Sequence, residues 1–343
     1  MTNAHRTALL VPVAILLVSL SAAPAQESGT GLRPKAEAGA AAHESVVRIA
    51  VSVDWEGRNL SSVNLRAFVS MRKAHPKVPL THFLNAAYYT KADAETEDVT
   101  KAIRRVVHLH DELGLHIHPW RSLVEAAGVT FRAEPTIWGP RFQPRRRGAD
   151  TGHAVVIEAY EVAELRAIVR TSKKLLGQHG FKLGTSFRAG AWLAGPRVRE
   201  AIRREGFVVD SSATNTIWHE ELAKYALPEM IAKTWPKVTA ESQPFWLKTP
   251  GGELLEMPDT CALADYVTAK EMAGHVTAAV QRLEKNGPDL YVHIGFHQET
   301  AARYATRVTQ AIKTIQATHG SRVVFETLQA SAKRARTTIK APR

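Results

Sequence analysis

The sequence is poor in cysteine. Its 343 residues include one, Cys261, so an intrachain disulfide framework and a cysteine-based zinc finger are both excluded. Any metal must then be held by histidine and carboxylate, and Cys261 reads as a small buried filler. There is no Gly-x-Gly-x-x-Gly dinucleotide fingerprint and no phosphate-binding loop motif, and no internal repeat interrupts the chain. Basic residues do not interleave with aromatics, as they do on nucleic-acid surfaces, so no nucleic-acid partner is expected. Acidic residues are outnumbered, 33 Asp and Glu against 45 Lys and Arg, for a formal net charge of +12. That surplus suits ordinary solubility or contact with an acidic polymer. It is concentrated in runs at Arg145–Arg147, Lys173–Lys174 and the tail from Lys333 to Arg343.

Long apolar runs are also missing, apart from Ala8 to Leu20. That run follows Arg6 and precedes Ala23-Pro24-Ala25, the order of a secretory signal with a small-x-small cleavage site. It is short for spanning a bilayer. The reading is therefore a signal peptide over 1–25, export to the periplasm or the medium, and no stable membrane insertion after cleavage. A flexible Ala-, Gly- and Glu-rich leader follows over 26–45, then a domain over 46–336 and a basic tail over 337–343.

Hydrophobic residues make up 45% of the sequence, enough for a large core. From Val46 onward, strand-like runs alternate with amphipathic stretches. Strands are expected at 46–53, 78–84, 115–118, 183–188, 207–209, 253–257, 290–294 and 323–325. Helices are expected at 98–113, 155–179, 196–205, 268–286 and 301–319. Strand–helix alternation predicts a parallel sheet, and seven or eight repeats predict an α/β fold of the distorted (β/α)7-8 barrel type, in one domain with long active-site loops. Two long irregular stretches, 119–152 and 211–251, carry five tryptophans: Trp120, Trp138, Trp218, Trp235 and Trp246. Such rings either stack on sugars or plug the loops onto the barrel.

Polar residues gather at the expected carboxyl ends of the strands, where barrel active sites lie. The first strand ends in Asp54-Trp55-Glu56, the third in His116-Ile117-His118, the fourth in Arg188, the fifth in Asp210 and the seventh in His293 and His297. On an ideal strand, residues two apart share a face. Both imidazoles of His-x-His can then grip one ion, and both carboxylates of Asp-x-Glu face the same way. Two neutral imidazoles with one carboxylate form a common catalytic zinc set. The spacing leaves open whether Asp54 or Glu56 is the ligand. His293 reads as a core histidine, and His108 and His110 as surface residues.

The order of these motifs resembles the polysaccharide deacetylases of carbohydrate esterase family four, the NodB-homology domain. Val53-Asp54-Trp55-Glu56 is similar to its first motif and Gly114-Leu115-His116-Ile117-His118-Pro119-Trp120 to a shortened second. Phe187-Arg188-Ala189-Gly190-Ala191-Trp192 is similar to its third motif. Val209-Asp210-Ser211-Ser212 and Ile294-Gly295-Phe296-His297 resemble the later ones. The resemblance implies a divalent metal, zinc with cobalt or manganese as compatible ions, on Glu56, His116 and His118. It implies Asp54 as base, Arg188 as the group that orients it and His297 as acid, with substrate contacts from Trp120, Trp192 and Asp210. The expected reaction is hydrolysis of an N-acyl group on a carbohydrate or cell-wall polymer. A small-molecule amidohydrolase or deformylase, or an inactive glycan-binding protein, is the alternative. The oligomeric state is not legible.

Overall fold

A computed structural model describes residues 44–139 and 150–339. The expected signal peptide, most of the leader, the Arg145–Arg147 run and the last residues of the basic tail lie outside the described residues. Among the described residues no helix is long and apolar enough to cross a membrane.

Among the described residues, nine strands form one sheet: β1 (Val47–Asp54), β2 (Thr81–Leu84), β3 (Glu112–Ile117), β4 (Ser186–Ala189), β5 (Val209–Asp210), β6 (Phe245–Thr249), β7 (Gly252–Glu256), β8 (Leu290–His297) and β9 (Val323–Phe325). Their spatial order is β6-β7-β5-β4-β3-β2-β1-β8, with β9 pairing β1. All pairings are parallel except β6 with β7, so the expected alternating barrel is present in distorted form. Strand pairing leaves a seam beyond β8. The segment after β7 crosses it, where Leu263 bridges to Gly295 and the Ala264 N–H donates to the Gly295 carbonyl at 2.8 Å. Every residue of β1 is buried, as expected for a strand covered on both faces.

The helical layer includes α1 (Ser62–Ala74), α2 (Thr96–Arg104), α3 (Arg121–Ala126), α4 (Val162–Gln178), α5 (Pro196–Arg204), α6 (Leu227–Thr234), α7 (Ala269–Gln281), α8 (Ala301–His319) and α9 (Leu328–Thr338). Local signals set their ends. Thr268 and Glu271 close a capping box on α7, and Pro196 opens α5.

Three expectations need correction. The helix expected over 98–113 stops at Arg104, and Leu113 belongs to β3. Asp111 draws the chain into a turn by accepting from the N–H groups of His108 (2.7 Å) and Leu80 (2.9 Å). The helix expected from Val155 starts at Val162, because Val155 and Val156 pair with Thr136 and Pro135. The irregular stretch 211–251 contains α6 and β6. Phe245–Thr249 turns back at Pro250-Gly251 to pair with β7, a hairpin punctuated by Pro-Gly.

Candidate active site

Sheet register assembles the site. Asp54 lies beside His297, and His116 beside Arg188, so four polar residues from β1, β8, β3 and β4 share one rim. Alternation does the rest. Trp55 is fully buried against Phe68 and Tyr88, and its indole N–H donates to His82 Nδ1 at 3.3 Å. That leaves Asp54 and Glu56 lining a cavity of about 260 Å³ with His116, His118, His153, Arg58, Trp138, Trp192, Asp265, Tyr266, His297 and Glu299.

Glu56, His116 and His118 are all buried, and one ligand atom of each lies within 4.8 Å of the others. His116 Nε2 is 3.2 Å from Glu56 Oε1, and His118 Nε2 is 3.2 Å from Oε2. Each ring's other nitrogen meets a carbonyl: His116 Nδ1 at 2.9 Å from that of Arg188, His118 Nδ1 at 2.6 Å from that of His153. A carbonyl only accepts, so both Nδ1 atoms carry the proton. In the neutral rings the Nε2 lone pairs therefore point at carboxylate lone pairs. A cation resolves that opposition, and a carboxylate with two such imidazoles is a donor set zinc accepts. The residues fit a divalent metal.

Glu56 is held by its backbone. Its N–H donates to Glu299 Oε2 at 3.1 Å, and its carbonyl accepts the Trp120 indole N–H at 2.8 Å. Gly57 follows at φ +75°, where a Cβ would stand 2.9 Å from Trp120 Nε1. Burial, with the negative charge of Glu56, pushes Glu299 up to about 7.

Arg188 is fully buried and donates to the Ser211 carbonyl (2.8 Å), Ser52 Oγ (2.9 Å), Asp54 Oδ1 (3.0 Å) and Ser211 Oγ (2.9 Å). Its Nη2 also lies 3.1 Å from His293 Nε2. Asp54 is thus aimed by a side chain that is itself fixed at every nitrogen. Behind it, Asp259 faces His293 at 2.8 Å and accepts the Trp192 indole N–H at 2.8 Å. Burial would raise Asp259, but His293 and Arg188 prevail and depress it to about 2.

His297 pairs with Asp265 at 2.9 Å. Burial works against its charge, but Asp265, Glu56 and Asp54 prevail and push it up to about 10. Its proton faces the cavity.

The structure thus brings together Asp54, Glu56, His116, His118, Arg188, His297 and Trp192. Trp192 reaches the cavity through two consecutive left-handed residues, Ala191 (φ 57°) and Trp192 (φ 60°), the kind of backbone strain that gathers at functional sites. Trp120 is buried, supporting Glu56 from behind with Lys91 over its ring at 3.7 Å. Asp210 does not line the cavity. It is fully buried, accepts from Ser212 at 2.5 Å, and is raised by burial together with its neighbour Glu256. Trp218, Trp235 and Trp246 give their indole N–H groups to the carbonyls of Thr260, Trp192 and Ile339, and so fasten segments of the fold. His293 is a core residue, and His108 and His110 are exposed.

Sequence reasoning missed His153, Asp259, Asp265 and Glu299. Glu299 had a signal: His297-Gln298-Glu299 repeats the two-residue spacing of Asp54-Trp55-Glu56 on the neighbouring strand. Asp265 and Asp259 sit in the segment after β7, where no periodicity marks them.

This arrangement can be compared with solved structures. A structure described as a putative polysaccharide deacetylase from Mycobacterium smegmatis superposes with a TM-score of 0.52 at 13% identity, over 89% of this chain and 97% of the other. This chain has the polysaccharide-deacetylase fold. A probable polysaccharide deacetylase from Pseudomonas aeruginosa PAO1 (TM-score 0.47, 12% identity, 85% and 91% coverage) and the Puue allantoinase (0.48, 13%, 85% and 91%) are more distant in shape. No family model and no curated protein matches the sequence.

Proposed function

We propose that this deacetylase-fold chain is an exported, metal-dependent hydrolase that removes an N-acetyl group from a carbohydrate or cell-wall polymer. One observation carries the reading. A carboxylate and two imidazoles in metal-ready tautomers share one cavity with an arginine-held aspartate and an aspartate-held imidazole.

Glu56, His116 and His118 would hold the ion, zinc by donor type and cobalt or manganese as substitutes. Such an ion polarises an acyl carbonyl and makes water a nucleophile near neutral pH. Asp54 is the base that takes the proton of the attacking water. Arg188 fixes its direction, so the carboxylate need not reorganise when the proton moves. His297 Nε2 lies 3.6 Å from Glu56 Oε1, and His297 delivers a proton to the departing amine. Asp265 keeps it charged until then. Trp192, Trp138 and Tyr266 offer flat apolar faces for a sugar ring. The cavity shares Leu222, Asp265, Tyr266, Glu299 and Thr300 with a neighbouring hollow of about 460 Å³, which gives further sugar units a path. Export supports a cell-wall or extracellular glycan as substrate over a cytoplasmic amide.

The test is acetate release from N-acetylated oligosaccharides by the zinc-loaded protein and by Asp54→Asn. Release by the wild type, reduced at least 100-fold in the variant, supports the reading. Release from small amides but not from oligosaccharides moves the substrate class. No release from either, with metal bound, leaves a glycan-binding protein on this fold.

A further inference from the structure

Four carboxylates line the cavity, and each is already engaged. Asp54 pairs with Arg188 at 3.0 Å, and Asp265 with His297 at 2.9 Å. Glu56 faces the imidazoles of His116 and His118. Glu299 accepts the Tyr88 hydroxyl and the backbone N–H groups of Glu56 (3.1 Å) and Arg58 (3.2 Å). The side chain of Arg58 lines the same cavity, and no carboxylate of the described residues pairs with its guanidinium.

Arg58 is nonetheless held in place. Its Nη2 lies 3.0 Å from His153 Nδ1 and 3.1 Å from Nε2. Near-equal approach to both nitrogens within the ring plane would collide with Cε1, so the guanidinium sits over a ring face. The other face of His153 is stacked on His118, centroids 4.0 Å apart, a gap too narrow to admit a guanidinium. Arg58, His153 and His118 form a column that ends at the donor cluster. A neutral imidazole brings no negative charge, so a cation with most of its five N–H donors unspent stands beside the reacting centre.

A second cation of the same kind lies further along. Arg303, on α8, lines the adjoining hollow, its Cζ 5.0 Å from the centroid of the Tyr304 ring. It too has no carboxylate partner among the described residues, and both arginines are exposed to solvent. Each hollow therefore carries an unpaired guanidinium on its wall, a planar fork that matches a carboxylate. The net charge of +12 works in the same direction, drawing acidic polymers toward the chain.

We propose that the substrate is an acidic glycan, with Arg58 binding a carboxylate on or next to the sugar that loses its acyl group and Arg303 binding one further along the polymer. The inference rests on the hydrolase reading above and adds the charge of the polymer, which that reading leaves open.

The experiment uses N-acetylated oligosaccharides whose acetylated sugars alternate with uronic acids, and the same oligosaccharides with their carboxyl groups reduced to alcohols. Acetate release by the zinc-loaded full chain gives kcat/KM on each for wild type, Arg58→Gln and Arg303→Gln, with zinc content and circular dichroism checked on every preparation. The wild type should prefer the acidic form by roughly 10-fold or more, the worth of a charge-assisted hydrogen bond. That preference should lie mainly in KM and shrink as salt is raised. Arg58→Gln should abolish it, and Arg303→Gln should reduce it only on chains long enough to reach the second hollow. A merely structural role for Arg58 would lower both rates together and leave their ratio as it was. Equal wild-type rates on the two forms overturn the proposal, and so does a preference that survives in Arg58→Gln. An unaltered ratio in Arg303→Gln on long chains overturns the second contact. If the zinc-loaded wild type releases acetate from neither form, the hydrolase reading itself fails and this inference falls with it.

Discussion

Arg188→Lys is the most revealing single change, because it keeps the charge and removes the shape. Arg188 donates four hydrogen bonds in full burial and closely approaches His293, using Nε and both terminal nitrogens. A lysine ammonium has three donors at one point and cannot span Asp54, Ser52 and Ser211 together. At least two buried acceptors then lose a charged donor, each worth roughly 1.5–3 kcal/mol. Partial relaxation places the expected loss near the lower end, ~3 kcal/mol. For a domain this large, about 2 °C per kcal/mol makes that a fall of ~6 °C in melting temperature. Asp54 would also lose its fixed direction, so kcat should fall about 100-fold while metal content stays at wild-type level. Thermal unfolding, metal analysis and acetate release on the same preparation give the three readouts. A variant within 1 °C of wild type and equally active would refute the claim that Arg188 positions the base through its full set of hydrogen bonds.

Acid should destabilise the fold in a defined window. Burial depresses His219, enclosed by Trp192 and Tyr266, to about 4. Between pH 6.5 and about 4 the unfolded chain binds a proton there that the folded chain refuses, so stability falls as pH drops through that interval, by ~3 kcal/mol. His219→Phe should flatten that part of the pH dependence in urea unfolding, and an unchanged slope would show that His219 is not its source. Asp265→Asn removes a partner that holds His297 up, so the alkaline limb of the rate profile should move to lower pH; an unmoved limb would assign it to another group. Gly190→Ala would set a Cβ 2.7 Å from the His118 ring and from the Ile117 carbonyl, so ~1–3 kcal/mol of stability and much of the zinc affinity should be lost. Wild-type zinc affinity in that variant would mean His118 can move without leaving the ion.

The legible parts of this molecule were those that repeat a short period. β1, β8 and β9 showed as apolar runs, and α8 as an uninterrupted helical pattern bounded by Gly320. Residues two apart on a strand, Asp54 with Glu56 and His116 with His118, showed their common face for the same reason. What stayed hidden depends on contacts across distance. His153 reaches Glu56 by the path of a segment whose course is set by hydrogen bonds to Arg121, Ile137 and Ser122, none of which leaves a pattern in sequence. Asp265 finds His297 only because its segment crosses the seam beside β8. Asp210 shows the converse: a strand-end carboxylate looks the same in sequence whether it faces the cavity or, as here, a buried partner such as Glu256.

The proposed chemistry depends on cation binding by Glu56, His116 and His118. The most direct measurement is isothermal titration of the chelator-stripped full chain with zinc, run beside Glu56→Gln. One zinc per chain in the wild type, with binding largely abolished in the variant, is the predicted result. No zinc uptake by the wild type, or equal uptake by both proteins, would contradict it.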